Sequence, residues 1–346
     1  MGEAHVQSLQ IRGLRGVREG ELTGLRPLTV LTGPNGCGKS TVLDALLLAG
    51  SNSPAEALAR VVARRKSLWQ GAKWLVSDPT GMATLRLVAS RGAYNCRVAA
   101  EAAEASAGSL PGSEELTRPL WNLEMTEAPR EQSVRRLAAA SVGADNQSWR
   151  RGFGARQPLV LQGGTELAAM GWEWEPLHVA YGRVVRAGRK SSVLDYAAKL
   201  LGPGTQLESL PEDDGSSQLY VTLPGCLPVP VAVAGDGVAA GLQLVMEVAA
   251  SSADVLLVEE PEVHLHPEAI REVARVLVAA VRAEKQVIVA THSLELIDAL
   301  IAETAGKDAE QLAVLHLSLR QGALVVARQD GEQVATARFE AGLDLR

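Results

Sequence analysis

A glycine-rich stretch near the start of the chain carries the residue types that bind phosphate. Residues 33–41 read G-P-N-G-C-G-K-S-T and fit G-x-x-x-x-G-K-[ST] without a gap. Glycines let such a loop curl until its backbone N–H groups face phosphate oxygens. We expect Lys39 to reach the β- and γ-phosphates of a nucleotide and Ser40 to ligate Mg²⁺. The candidate nucleotide ligands are Gly33, Asn35, Gly36, Cys37, Gly38, Lys39, Ser40 and Thr41.

Two adjacent carboxylates follow an apolar run in the last third of the chain. Residues 254–258 read D-V-L-L-V, and Glu259 and Glu260 come next. Ligands of open α/β sheets bind at the carboxyl ends of the strands, which would place these acids beside the nucleotide. We expect Glu259 to orient the metal and Glu260 to polarise the attacking water, so that Glu260 is a catalytic candidate. A solvated acidic turn is the alternative.

A histidine comes directly after the next apolar run. Residues 286–290 read Q-V-I-V-A, and Thr291, His292 and Ser293 follow. Ser293 is suited to cap the next helix. If this strand lies beside the acidic one, His292 arrives at the γ-phosphate, where an imidazole can stabilise the transition state together with Lys39. An ordinary capping histidine is the alternative.

These side chains require a sheet that brings the strand ends together. Apolar strands alternating with helices predict a parallel α/β sheet. The predicted strands are 28–32, 254–258 and 286–290, and the predicted helices are 39–48, 190–201, 238–250, 268–284 and 293–303. Between the two halves we predict a hairpin over 83–103, further strands over 176–181 and 217–223, and a helix in the first part of 127–156.

Composition excludes several classes of protein. The net charge of −6 excludes a wholly basic nucleic-acid coat. The 3 cysteines are too few and too scattered for a disulfide framework or a zinc site, which favours a reducing, cytoplasmic setting. No signal peptide and no run long enough to span a bilayer is visible, so we expect no membrane contact.

The loop, the acidic strand end and the histidine together resemble an ABC-type ATPase. The resemblance is greatest to the stand-alone group with RecF-like, OLD-like and SMC-like heads. The Walker A loop, the Walker B strand with its catalytic glutamate, and the switch histidine of that family match residues 33–41, residues 254–260 and His292. One departure is Glu259, where Walker B usually has aspartate.

The resemblance also implies a fold and a domain organisation. We expect an α/β P-loop NTPase of the ABC-ATPase type, with a mixed sheet core, an antiparallel β lobe and an inserted helical lobe. Residues 1–50 and 234–346 would form the ABC-type core, and 51–233 the inserted lobe. The interval between the motifs holds no sustained heptads, so we expect no long coiled coil. Too few residues follow His292 for a Toprim domain.

A further loop matches the family's signature. Gly235, Asp236 and Gly237 precede a predicted helix. In the family this loop caps the γ-phosphate bound to the other protomer, which implies an ATP-dependent homodimer. Gly235 stands where serine is common, and a plain turn before a helix is the alternative.

The resemblance implies an ATP hydrolase with ATP and Mg²⁺ as cofactors. Its action would be on DNA or on a partner effector such as a nuclease or toxin, in genome maintenance or anti-phage defence. Basic segments 130–156 and 183–190 suit DNA, a docking surface for an acidic partner, or a solvated face. A nucleotide sensor that binds ATP, hydrolyses it very slowly or not at all, and regulates a partner is the alternative function.

Overall fold

A computed structural model gives the architecture of the protein. It describes residues 4–51, 57–58, 60–61, 74–76, 81–101, 120–128, 135–143, 159–161, 165–170, 176–306 and 308–345. The strands, in chain order, are β1 (Val6–Leu14), β2 (Val17–Leu22), β3 (Leu28–Thr32), β4 (Met82–Ala89), β5 (Gly92–Glu101), β6 (Leu120–Ala128), β7 (Arg135–Gly143), β8 (Leu159–Leu161), β9 (Thr165–Met170), β10 (Gln206–Pro211), β11 (Ser217–Thr222), β12 (Val229–Pro230), β13 (Val255–Glu259), β14 (Gln286–Ala290), β15 (Leu312–Arg320) and β16 (Ala323–Asp330).

The helices fall mainly in the second half of the chain. The α-helices with described bounds are α1 (Lys39–Gly50), α2 (Leu177–Arg186), α3 (Lys190–Leu201), α4 (Asp236–Ala250), α5 (Pro267–Arg282), α6 (Leu294–Thr304) and α7 (Gly331–Ala335). None of these helices is both long enough and apolar enough to cross a membrane.

A mixed sheet forms the centre of the molecule. Among the described strands its order is β7-β6-β5-β4-β1-β2-β16-β15-β3-β14-β13-β9-β8, while β10, β11 and β12 form a second, smaller sheet. β15, β3, β14, β13 and β9 run parallel to one another. β1, β2, β4, β5, β6 and β7 pair antiparallel. The prediction of an α/β fold with a mixed sheet core and an antiparallel part is therefore confirmed.

The parallel strands β3 and β14 are buried on both faces, which explains why their sequences are mostly apolar. All five residues of β3 and all five of β14 are buried. Successive side chains of a strand point to opposite faces. Leu31 accordingly packs in the core that contains α1, whereas Leu28 and Val30 pack in the core that contains α4, α5 and α6. Strand β3 thus packs against both cores.

The C-terminal segment is hydrogen-bonded to α6 and to the end of β3. Arg338 donates two hydrogen bonds of 2.7 Å to the carboxylate of Asp298 on α6, and one to the carbonyl of Leu343. The Thr32 hydroxyl, at the end of β3, donates to the carbonyl oxygen of Leu345 at 2.9 Å. The glycine-rich loop after β3 therefore starts from a residue that is hydrogen-bonded to the C-terminal segment.

Two of the predicted elements are wrong. Residues 176–181, predicted as a strand, begin helix α2, in which Ala180, Tyr181 and Val184 are buried. This spacing suits one face of a helix, and a short apolar run does not distinguish the two states. The helix predicted in the first part of 127–156 is also wrong where the structure describes the chain, since 135–143 form β7. The alanines there favour helix locally, and pairing with β6 overrides that preference.

Candidate functional site

Glycines with positive φ shape the loop between β3 and α1. The φ angles are 134° at Gly33, 80° at Gly36 and 104° at Gly38. At Gly33 a Cβ atom would also lie 2.3 Å from the carbonyl oxygen of Leu317, so the position admits no side chain. Asn35 and Gly36 are exposed at the tip of the loop, whereas Cys37 and Thr41 are buried.

Lys39 lies at the first position of α1 and turns back into the loop. Its Nζ donates to the carbonyl oxygen of Gly33 at 2.7 Å and to that of Pro34 at 3.3 Å. The residue is only 7% exposed. The loop therefore holds a fixed positive charge at the positive end of the α1 dipole, which favours an anion.

Ser40 and Glu259 meet at the carboxyl end of β13. The Ser40 hydroxyl donates to Oε1 of Glu259 at 2.5 Å. Val255 and Leu257 pack on the α1 side of the sheet, and Glu259 continues that face. A hydroxyl and a carboxylate side by side form the kind of oxygen pair that holds Mg²⁺ next to a nucleotide. The residues present thus fit a magnesium ion.

Glu260 adopts a left-handed backbone conformation directly after the strand. Its φ is 43°, and its N–H donates to the carbonyl oxygen of Ala290 on β14 at 2.8 Å. Oε1 of Glu260 lies 3.3 Å from Nδ1 of His292. Both side chains are well exposed, at 39% and 47%, so water reaches them and the pair adds little to stability. The structure thus brings the two catalytic candidates together.

The segment around His292 is fixed by hydrogen bonds to the carboxylate of Glu262. Thr291 is fully buried, and its hydroxyl donates to Oε1 of Glu262 at 2.5 Å. The N–H of His292 points to the same oxygen at 3.4 Å. The Ser293 hydroxyl accepts from the N–H of Leu296 at 3.2 Å, which confirms Ser293 as the cap of α6. Sequence reasoning missed the contact of Glu262, because 29 residues separate it from Thr291.

The loop of Gly235, Asp236 and Gly237 lies against the segment that follows Glu259 and Glu260. A Cβ atom on Gly237 would be 2.5 Å from the carbonyl oxygen of His264. Gly235, with φ 120°, and Asp236 are exposed at the start of α4. The atoms nearest to a Cβ on Gly237 belong to His264 and Leu265, so this loop lies beside the segment that follows Glu259 and Glu260.

A cavity of about 250 Å³ lies between α4 and the acidic strand end. Helix α4 borders the cavity on one side, and Glu259 and Glu260 border it on the other. Its lining residues are Ala240, Leu244, Glu259, Glu260, Pro261, Val263 and His264.

The basic segments are only partly available to a ligand. Of 130–156, residues 135–143 are described as backbone, and the remainder lies outside the described residues. In 183–190, Arg183 is paired with the buried carboxylate of Glu247 at 2.9 Å, and α2 is thereby attached to α4. Arg183 thus takes part in an internal ion pair of the protein. Arg186, Arg189 and Lys190 are exposed.

Two family models match the chain. One, described as "AAA domain, putative AbiEii toxin, Type IV TA system", matches residues 173–298. The other, described as "AAA domain", matches residues 8–57. Between them they cover the loop 33–41, the acidic strand end and His292. Among curated protein sequences, none matches the chain.

Solved structures of SMC heads share the fold. An SMC head bound to the C-winged helix domain of ScpA has a TM-score of 0.52 at 15% identity, over 94% of this chain and 98% of that chain. The SMC head of Pyrococcus furiosus with an extended coiled coil, bound to the C-terminal domain of ScpA, has a TM-score of 0.53 at 13% identity, over 98% of this chain and 100% of that chain. At these identities the likeness concerns the fold.

The matches to AAA domains and the shared fold confirm the resemblance seen in the sequence. The motif-bearing segments lie in the matched regions, and their strands and helices occur in the expected order. Two stretches of the chain thus match AAA domains and its fold is shared with SMC heads, which supports its resemblance to the ABC-type AAA ATPases.

Proposed function

We propose that this protein binds ATP with Mg²⁺ and hydrolyses ATP at sites formed between two copies arranged head to tail. One observation carries the proposal: two functional pairs meet at one edge of the parallel sheet. Ser40 contacts Glu259 at 2.5 Å, and Glu260 contacts His292 at 3.3 Å. The first pair suits a metal and the second suits water activation, and both adjoin the end of β3 that carries the phosphate loop.

The residues divide the chemistry between them. The N–H groups of the loop and the Lys39 ammonium would bind the phosphates. Ser40 and Glu259 would hold Mg²⁺, which would neutralise phosphate charge. The Glu260 carboxylate is open to solvent and accepts a proton from the attacking water. His292 orients that carboxylate and faces the charge that develops on the phosphate.

The remaining part of the site would come from a second copy. Gly235 and Asp236 are exposed at the N-terminus of the 15-residue helix α4, whose dipole favours an anion there. In one protomer Gly237 of this helix end lies beside the carbonyl oxygen of His264. An exposed anion-binding helix end next to the acidic segment suits the nucleotide of a neighbouring protomer.

The output of hydrolysis is proposed by analogy. The SMC heads that share the fold are bound to ScpA domains, which supports a partner protein here as well. A nuclease or toxin acting with this ATPase in the cytoplasm, in genome maintenance or anti-phage defence, is the partner we propose. DNA is the other target, through the exposed Arg186, Arg189 and Lys190.

Steady-state ATP turnover tests the proposal. We expect Glu260→Gln to bind ATP normally and to lose about a hundredfold or more in turnover, because the proton acceptor is removed. Glu268→Gln, an exposed carboxylate at the start of α5, is the matched control and should behave as wild type. Linear duplex DNA should stimulate turnover at low salt, and the stimulation should fade as salt rises.

The other outcomes are equally informative. Tight ATP binding with no wild-type turnover above the Glu260→Gln level would favour the nucleotide sensor. Turnover that ignores DNA would assign the output to a partner protein. A chain that does not bind ATP would overturn both functions.

A further inference from the structure

Hydrogen bonds connect Thr291, His292 and Ser293 to one carboxylate oxygen of Glu262. Thr291 and His292 contact it directly, and Ser293 is connected to it through the Thr291 hydroxyl. The Ser293 N–H donates to the Thr291 hydroxyl at 3.0 Å, and that hydroxyl donates to Oε1 of Glu262 at 2.5 Å. The His292 N–H points to the same Oε1 at 3.4 Å. Residues 291–293 are therefore tied to one atom of the segment that follows β13.

This connection links the two halves of the catalytic pair. Glu262 lies two residues after Glu260, while Thr291 and His292 follow the neighbouring strand β14. The backbone N–H of Glu260 already donates to Ala290 on that strand. The distance between the Glu260 carboxylate and the His292 imidazole thus depends on whether these two segments keep their mutual register.

The second oxygen of Glu262 argues against a purely stabilising role. Oε2 is buried and has no hydrogen-bond partner among the described residues. An unpaired buried carboxylate oxygen lowers the stability of the folded state. A side chain that served stability alone would be less costly if it were neutral.

We propose that Glu262 is a positioning residue that fixes Thr291 and His292, and through them holds the imidazole in reach of Glu260. The inference rests on the proposed function, since its consequence for catalysis requires ATP hydrolysis. It adds a residue that acts through His292 and touches neither nucleotide nor water.

The test compares Glu262→Ala with Glu262→Gln, whose amide oxygen still accepts both hydrogen bonds. Amide hydrogen exchange over 291–296 should accelerate by about tenfold in Glu262→Ala and stay slow in Glu262→Gln. The kcat for ATP should fall about ten- to hundredfold in Glu262→Ala, with KM within about twofold, because misplaced catalytic groups affect the chemical step. Glu262→Gln should retain most of kcat.

Additivity supplies the decisive readout. In a His292→Ala background, Glu262→Ala should cause no further loss of kcat, because its effect passes through His292. Thr291→Val removes the same hydroxyl from the other side and should reproduce both effects. It also serves if Glu262→Ala does not fold. Glu268→Ala is the control and should change neither exchange nor kcat.

Three results would overturn the inference. They are unchanged exchange over 291–296 in Glu262→Ala, an equal loss of kcat in Glu262→Gln, and full additivity with His292→Ala. If wild-type protein shows no turnover, the proposed function fails, and the exchange data alone then decide whether Glu262 fixes the segment.

Discussion

At the scale of single residues, backbone conformation decides what the phosphate loop can be made of. Gly33 combines a φ of 134° with the carbonyl oxygen of Leu317 where a Cβ atom would stand. Gly36 has φ 80° but open space around it. The loop therefore needs glycine for two separate reasons, close approach at one end and conformational freedom at the tip.

We expect Gly33→Ala to destabilise the protein by at least about 2 kcal/mol, since backbone strain and a clash add. Gly188→Ala is the matched control, because Gly188 has φ 68° and no atom within 4 Å of an added Cβ. That variant should cost only the strain, about 1 kcal/mol. Urea unfolding of both measures the difference. An equal cost in the two variants would show that the contact with Leu317 is unimportant.

At the scale of elements, a buried ion pair attaches the β1–β2 turn to the nucleotide-binding helix α1. Arg15, with φ 49° in the turn, pairs with Asp44 of α1, and the Asp44 side chain is 0% exposed. The backbone N–H of Arg15 donates to the carbonyl oxygen of Leu75 at 2.8 Å. The helix that presents Lys39 and Ser40 is thus held by a charge from the β1–β2 turn.

Arg15→Met should lower the free energy of unfolding by about 3–5 kcal/mol, because it removes the guanidinium that pairs with the buried Asp44 carboxylate. The double variant Arg15→Met, Asp44→Leu should recover most of that loss, since no buried charge then remains. Arg12→Met, at an exposed position of β1, is the control and should be nearly neutral. A denaturant series gives all three values. A double variant no more stable than Arg15→Met alone would contradict this account.

The sequence predicts the elements whose signal is local. The predicted bounds of β3 and β14 coincide with those of the structure, because each is a short, mostly apolar run whose ends are recognisable in the sequence. β2, with the sequence V-R-E-G-E-L, carries no such signal and is defined by its pairing with β1. The same division holds within the site. The motif residues are visible in sequence, whereas Glu262 and the Arg183–Glu247 pair depend on contacts between distant segments.

At the scale of the whole molecule, the segments between the motifs are joined to the same sheet as the motifs. β4 pairs with β1, and β9 pairs with β13, so both flanks continue the sheet that carries the site. In the proposed function a second copy completes the site, since Gly235 and Asp236 are exposed at the start of α4. The two halves can therefore be separated by mutation.

Mixing two inactive variants tests the head-to-tail arrangement. Lys39→Ala removes the phosphate-binding charge, and Asp236→Trp blocks the exposed loop. Each protein should be inactive alone, and a 1:1 mixture should regain about a quarter of wild-type turnover, since half the dimers carry one intact site of two. Light scattering with Glu260→Gln and ATP should show the dimer. A mixture that stays inactive would place both loops in one protomer's site.

The alternation of faces along β13 has a consequence for how its length can change. Leu257 and Glu259 point to the α1 layer, and Val258 points to the opposite layer. Inserting one residue into this strand would move each later side chain to the opposite face of the sheet, whereas inserting two residues would restore the original faces. Surface loops can gain residues in any number. Strand β13 can lengthen only by an even number of residues, because an odd number would move Glu259 away from the α1 side of the sheet.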